Sequence, residues 1–292
     1  MTSTIIGESV RGESHKRHNI VRQDNYLVVQ GLHNRKKKNH LYNKDLPDGF
    51  DIVAVDYGHG SESCPFSDIG SKIATKVFCD MMTEYVIEYE KSEGGMDDLF
   101  ISLNKEGETT RIAKKIVQEW EEQVLKDFSK QQNVELPHKD DGEIDPGPIW
   151  KKYGTTLLGL LITPDFFFAY QLGDGDITYV DIKGVSPVIE GDKILGVETH
   201  SISKPDSWKK VITKVVKSDS MQEWPSMIVI STDGWINSHA SEQEFHKTCM
   251  DYYNLIQEKG AEVIEANLES WLSETSKLGC GDDITAVFVY IS

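Results

Sequence analysis

Short blocks of β-branched and apolar residues open the chain. Residues 26–30 (Tyr-Leu-Val-Val-Gln) and 50–55 (Phe-Asp-Ile-Val-Ala-Val) read as strands, each closed off by Gly. The basic run 34–39 between them reads as a solvated hairpin tip rather than a docking element. From Ser67 and Asp68, which suit a helix N-terminus, the period changes. Ile73, Ala74, Val77, Phe78, Met81 and Tyr85 recur at helical spacing, and Ile112, Ile116, Trp120, Val124 and Phe128 form a second amphipathic stripe. The acidic, Pro- and Gly-rich stretch 140–148 then interrupts as a loop. Residues 155–162, 166–172 and 177–182 predict three consecutive strands with tight turns, and 186–222 is weakly patterned and reads as a flap-like excursion. A short buried strand at 227–230, helices at 241–258 and 261–273, and a closing strand at 286–291 complete the order. Hairpin-linked strands with helices gathered in pairs argue against βαβ alternation and for an α+β layered architecture, one domain over 1–292.

Composition narrows the function classes. The chain has 292 residues, 38% apolar and 9% aromatic, enough for a substantial core. Its net charge of −17 repels phosphate backbones and anionic membrane surfaces, which argues against nucleic acid and lipid as partners. Cys64, Cys79, Cys249 and Cys280 form no C-x-x-C pair, so a reduced, cytoplasmic setting is expected. The first residues are too short and polar a stretch for a signal peptide, and the longest apolar run, 157–163, is too short to span a bilayer.

The carboxylates change the picture most. Asp24, Asp56, Asp174, Asp233, Asp282 and Asp283 all stand where a strand starts or ends at a turn. One such Asp is a turn residue bonding locally, but recurrence at strand ends brings distant segments to one end of a sheet. Oxygen-rich clusters there suit a hard cation such as Mg²⁺ or Mn²⁺.

Taken in order, the motifs resemble the protein phosphatase 2C family, in its bacterial branch. They are Gly7-x-Ser9-x-x-Gly12-x-Ser14-His15 followed by Gln23-Asp24, Ala54-Val-Asp-Tyr-Gly-His-Gly60, Gly154-Thr-Thr156, Gly173-Asp-Gly175, Ser231-Thr-Asp-Gly234 and Asp282-Asp-Ile-Thr285. The resemblance implies a central antiparallel β-sandwich flanked by helix pairs in α-β-β-α layers. It implies two divalent metals, Mn²⁺ or Mg²⁺, and a metal-bound hydroxide attacking a phosphoserine or phosphothreonine. It carries over Asp233 and Asp282 as metal ligands, Gly58 as a carbonyl ligand, Asp24 as holder of a metal-bound water, and His59 as general acid. The partner it implies is a phosphorylated protein whose modification a Ser/Thr kinase installs.

Three positions depart from the family pattern. Tyr57 stands where the bridging aspartate belongs, and Asp56, one place earlier, points to the opposite face of an extended segment unless a bulge re-aims it. Asn237 replaces an aspartate that would join Asp174 at a third metal, so any third ion is weakly held. Asn19 takes the position of the phosphate-anchoring arginine, with Arg17 the chosen substitute over Arg22. These departures define an alternative, a pseudophosphatase that binds partners through an impaired metal site. Asp174-Gly-Asp-Ile-Thr178 also matches a haloacid-dehalogenase nucleophile motif, but its reading as a hairpin turn between strands removes the strand–loop–helix setting that chemistry needs.

Overall fold

The computed structural model describes residues 3–31, 39–61, 63–130, 137–190, 200–218 and 226–292. In chain order the elements are β1 (Ser3–Val10), α1 (Glu13–Arg17), β2 (Asn25–Gln30), β3 (His40–Tyr42) and β4 (Asp51–Asp56). A helical block follows with α2 (Ser67–Glu90), α3 (Gly95–Leu103), α4 (Glu106–Phe128) and α5 (Gly147–Lys152). Then come β5 (Leu157–Ile162), β6 (Phe166–Leu172), β7 (Asp176–Asp181), β8 (Gly184–Pro187), β9 (Ile212–Lys217), β10 (Ser226–Ser231), α6 (Asp233–Ile236), α7 (Glu242–Lys259), α8 (Ala261–Leu278) and β11 (Ile284–Ile291).

Two sheets face each other. One has the order β1-β11-β10-β7-β8, the other β3-β2-β4-β5-β6-β9. All pairings are antiparallel except the β2–β3 edge. Strand periodicity sorts the side chains into three layers. In β4, Val53 and Val55 join Leu158, Leu160, Ile228 and Ile230 between the sheets, while Ile52 and Ala54 face the α2–α4 side with Phe78, Trp120 and Leu161. On the far side, α7 and α8 cover the other sheet through Phe245, Ile264 and Leu268 against Val229 and Phe288. The α-β-β-α layering is therefore as the sequence predicts. Gly159 makes the first interface possible, because a Cβ there would lie 2.1 Å from the Phe78 ring.

Several expectations are corrected. The predicted strand at 155–162 begins at Leu157, with Thr155 reduced to an isolated bridge to Gly58. Ser67 is the first helical residue of α2 rather than its cap. β6 and β7 belong to different sheets, so the turn through Asp174 crosses between layers and is no hairpin; the segment after it is still a strand, and the dehalogenase setting is absent. Within 186–222 the described parts include the end of β8 and all of β9, an edge strand paired with β6; residues 191–199 and 219–222 lie outside the described residues. The basic run, apart from Asn39, also lies outside them. Among the described residues, no helix is long and apolar enough to cross a membrane. The four cysteines are free thiols, three of them buried.

Candidate active site

Asp24 immediately precedes β2, the Tyr57-Gly58-His59 turn follows β4, Asp233 follows β10 and Asp282 lies just before β11. Antiparallel registry puts these termini at one end of the sandwich, since Asn25 pairs Asp56 and Ser231 pairs Ala286. There they line one cleft of about 410 Å³, together with Ser14, His15, Asn237, Cys280 and Asp283. A groove of about 460 Å³ between β8 and β9 is larger, but among the described residues that line it Asp181 is the one carboxylate, so size does not pick out the chemistry.

Each aspartate is held by local structure. Asp24 is buried, and its Oδ2 accepts from the hydroxyls of Thr232 (2.9 Å) and Thr285 (3.1 Å). Burial, reinforced by the charge of Asp283, holds its carboxyl well above the usual range. Asp233 opens α6 and is pushed up to about 7 by burial and by the charges of Asp174 and Asp282. Burial also raises Asp282, whose Oδ1 accepts the Asp283 N–H at 2.8 Å. Gly234 lets this turn close, because a Cβ there would stand 2.1 Å from the Asp283 carbonyl oxygen.

Two residues emerge to which sequence reasoning assigned no individual role. Asp283 is fully engaged: Oδ1 accepts from the Gly12 N–H (2.6 Å) and from His15 Nδ1–H (2.8 Å), and Oδ2 from the Gln23 N–H (2.6 Å). It ties the N-terminal segment to the start of β11. His15 is buried beside it, and its Nε2 lies 3.6 Å from Asp282 Oδ1. The hydrogen bond to Asp283 raises the His15 pKa against the opposing effect of burial. The signal for both was in the sequence, as the second residue of the Ser-His pair and of the Asp-Asp pair.

Of the other residues singled out, Asp56, Asp174, Arg17 and Arg22 are not among the described residues that line the cleft. Asp56 continues the helix-facing series of β4 while Tyr57 continues the series between the sheets. Asp56 is fully buried; its Oδ1 accepts from the hydroxyls of Thr155 and of Thr156 (3.2 Å), and Oδ2 has no hydrogen-bond partner among the described residues. The register of β4 with β2 runs regularly through Asp56, and Asp56 is not among the described residues that line the cleft. Tyr57 lines the cleft, and its hydroxyl donates to Asp174 Oδ1. Its ring meets His59 edge-on, with centroids 6.1 Å apart. Asn237 Nδ2 donates to Asp233 Oδ2 at 3.1 Å. α1 carries Arg17 on the surface, where Nε lies 3.9 Å from Glu13 Oε1. Arg22 donates to the Ser9 carbonyl (2.6 Å).

The donor set can be tested against a divalent cation. Among the described residues, no group of three or more His, Cys, Asp or Glu side chains converges tightly enough to hold a metal ion. Asp233 and Asp282 nevertheless offer two carboxylates whose ionised state is disfavoured by desolvation and, for Asp233, by the charges of Asp174 and Asp282, and a hard cation relieves both effects. Mg²⁺ characteristically takes one or two carboxylates and keeps several waters, so this pair fits such an ion.

A family model described as protein phosphatase 2C matches residues 11–273. No curated protein matches the chain in sequence. In fold, the chain is similar to the Streptococcus agalactiae (S. agalactiae) serine/threonine phosphatase, at 14% identity and TM-score 0.57, with 100% of both chains covered. It is similar to Stp1 of Staphylococcus aureus at 9% identity and TM-score 0.57, covering 100% of this chain and 96% of that one. It is likewise similar to the catalytic domain of PstP solved with two manganese ions, at 10% identity and TM-score 0.54, with 99% of each chain covered. Identities this low speak for the fold alone, but the match of the family model runs through nearly the whole length, and the chain belongs to the protein phosphatase 2C family.

Proposed function

We propose that this chain is a Mn²⁺- or Mg²⁺-dependent phosphatase acting on phosphoserine or phosphothreonine in proteins. One observation carries the reading: segments far apart in sequence deliver Asp24, His59, Asp233 and Asp282 to a single cleft at the sheet ends. Family membership and the fold shared with a manganese-bound relative support it. When bound, a divalent cation would supply an activated water and screen the phosphoryl charge. Asp233 and Asp282 would hold the ion, with the Gly58 carbonyl as a further oxygen donor. Asp24, fixed by Thr232 and Thr285, would orient water behind them. A ring nitrogen of His59 would give its proton to the leaving alkoxide, steadied by the Tyr57 ring against it. The partner is then a protein phosphorylated by an opposing Ser/Thr kinase, met in the cytoplasm. Hydrolysis of an aryl phosphate by purified protein, with and without Mn²⁺, tests this. Turnover in wild type that is absent in Asp233→Asn is the expected result, and equal rates in the two would overturn it.

A second reading rests on Tyr57. Its hydroxyl engages Asp174, and a neutral phenol occupies the turn where the family pattern has a carboxylate. The same fold would then serve as a binding module for phosphorylated proteins. Calorimetry detecting no Mn²⁺ binding at millimolar metal would favour that reading.

A further inference from the structure

The sandwich has an open side as well as a cleft at its end. β9 closes the six-stranded sheet and β8 the five-stranded one, and among the described residues no strand pairs with the outer edge of either. β8 is short, running from Gly184 to Pro187, and a proline offers no N–H to a neighbour. β9 is the better edge, and its register with β6 shows where its backbone groups point. Just past the strand, Ser218 donates to the Asp165 carbonyl at 2.7 Å, and the same register sets Val216 opposite Phe167 and Lys214 opposite Ala169. Antiparallel alternation then turns the N–H and C=O of Thr213 and Val215 outward. Side chains alternate with the same period. Lys214 and Val216 line the groove of about 460 Å³ between β8 and β9 with Phe167, Tyr179 and Val188, and the exposed Ile212 continues their face.

Charge says what this edge admits. Residues 207–217 hold four lysines and no carboxylate, in a chain of net charge −17. Lys209 is paired with Asp206 at 2.7 Å, and Lys217 stands over the Phe100 ring at 4.6 Å. Lys214 has no ion pair among the described residues. Asp181, in the groove wall, turns its Oδ1 to the backbone N–H groups of Lys183 and Gly184. Lysines on an edge strand keep identical edges apart, which makes a second copy of this chain a poor occupant, and they make the edge selective for opposite charge. Screening sets in over about 8 Å at physiological ionic strength, so the lysines beside the edge count for more than the net charge. We propose that the outer edge of β9 is a docking site for an extended acidic segment of a partner protein, which adds to the six-stranded sheet as a further strand. The backbone of Thr213 and Val215 supplies the ladder. Cross-strand pairing puts apolar side chains opposite Ile212 and Val216 and a carboxylate opposite Lys214, so the segment reads apolar–x–acid–x–apolar. The inference stands apart from the chemistry of the cleft.

Fluorescence anisotropy with a labelled peptide of core Val-Thr-Glu-Thr-Val tests the assignment on the full chain. Wild type is expected to bind it about tenfold more tightly than the same peptide with Lys in place of Glu, and Lys214→Glu is expected to reverse that order. In this register the two peptide Thr residues face Thr213 and Val215, so replacing them by Pro withdraws the donors to β9 and is expected to abolish binding. Asp233→Asn is expected to bind the Glu peptide as wild type does. The proposal is overturned by no binding of the Glu peptide, by equal affinity for the Glu and Lys peptides, or by an order that Lys214→Glu leaves unchanged. Full binding of the Pro peptide overturns it too, since charge attraction alone would then suffice, and so does a loss in Asp233→Asn, which puts the peptide in the cleft. Should Lys214→Glu not fold, amide hydrogen exchange in wild type decides. The outward N–H groups of Thr213 and Val215 are expected to exchange about tenfold more slowly when the Glu peptide saturates the protein, and unchanged rates overturn the assignment.

Discussion

At the scale of residues, the turn after β4 holds the main departure from a carboxylate-rich metal site. Tyr57 is buried, with its phenol directed at Asp174 and its backbone N–H held by Thr156 Oγ1 at 3.3 Å. Replacing it by Asp removes a buried ring and adds a charge to a cluster that already repels itself. Tyr57→Asp is therefore expected to cost about 2–4 kcal/mol of stability without metal and to regain much of it with Mn²⁺. Chemical denaturation with and without the ion measures both, and a variant indifferent to Mn²⁺ contradicts the account. Asp56 gives a complementary prediction. Burial holds its carboxyl well above the usual range, so the folded state binds a proton that the unfolded chain releases near its ordinary value. The wild type thus gains stability at this position below that ordinary value and loses it as pH rises through the raised one. Asp56→Asn removes this dependence, so its denaturation midpoint is expected to gain on wild type as pH rises above the ordinary carboxylate value, with Mn²⁺ affinity unchanged. A fall in Mn²⁺ affinity would restore Asp56 as a ligand.

Elements carry the next set of constraints. Helix α2 sits on the six-stranded sheet because Gly159 in β5 leaves room for Phe78. Gly159→Ala is expected to cost about 1–3 kcal/mol by overpacking, measured by urea denaturation, with part recovered when Phe78→Leu is added. A neutral Gly159→Ala would show that the interface is looser than described. How far elements were legible in the sequence follows from their surroundings. β4, β5, β6 and β10 are buried across both faces, so they read as apolar runs, and α4, α7 and α8 present the expected stripes. β1 was not anticipated although it spans eight residues, because Gly7, Glu8 and Ser9 break its apolar pattern. β3 and β8 are edge strands of only three and four residues, and β9 is an edge strand with exposed lysines, so none of them stands out as an apolar run in sequence. The strand-end aspartates were visible as a recurring pattern, and of the neighbours Asp56 and Tyr57 it is Tyr57 that lines the cleft. The His15–Asp283 contact was not visible, because it joins residues 268 positions apart through a single hydrogen bond.

For the whole molecule, the cleft exists because two sheets end together, and every proposed ligand enters from a different strand. Asp24 belongs to the six-stranded sheet, whereas Asp233 and Asp282 flank strands of the five-stranded one. An ion held by Asp233 and Asp282 with water from Asp24 would therefore cross-link the layers. Millimolar Mn²⁺ is expected to raise the melting temperature by several degrees in wild type and not in Asp233→Asn, since a ligand that binds only the folded state stabilises it by mass action. Equal shifts in both proteins would mean that the ion binds elsewhere. The central claim is that this cleft hydrolyses phosphomonoesters with a metal held by Asp233 and Asp282, and that Tyr57 limits it. Phosphate release from a phosphothreonine peptide with Mn²⁺, compared across wild type, Asp233→Asn and Tyr57→Asp, tests that claim most directly. The account predicts measurable release in wild type, none in Asp233→Asn and faster release in Tyr57→Asp; identical rates in all three would contradict it.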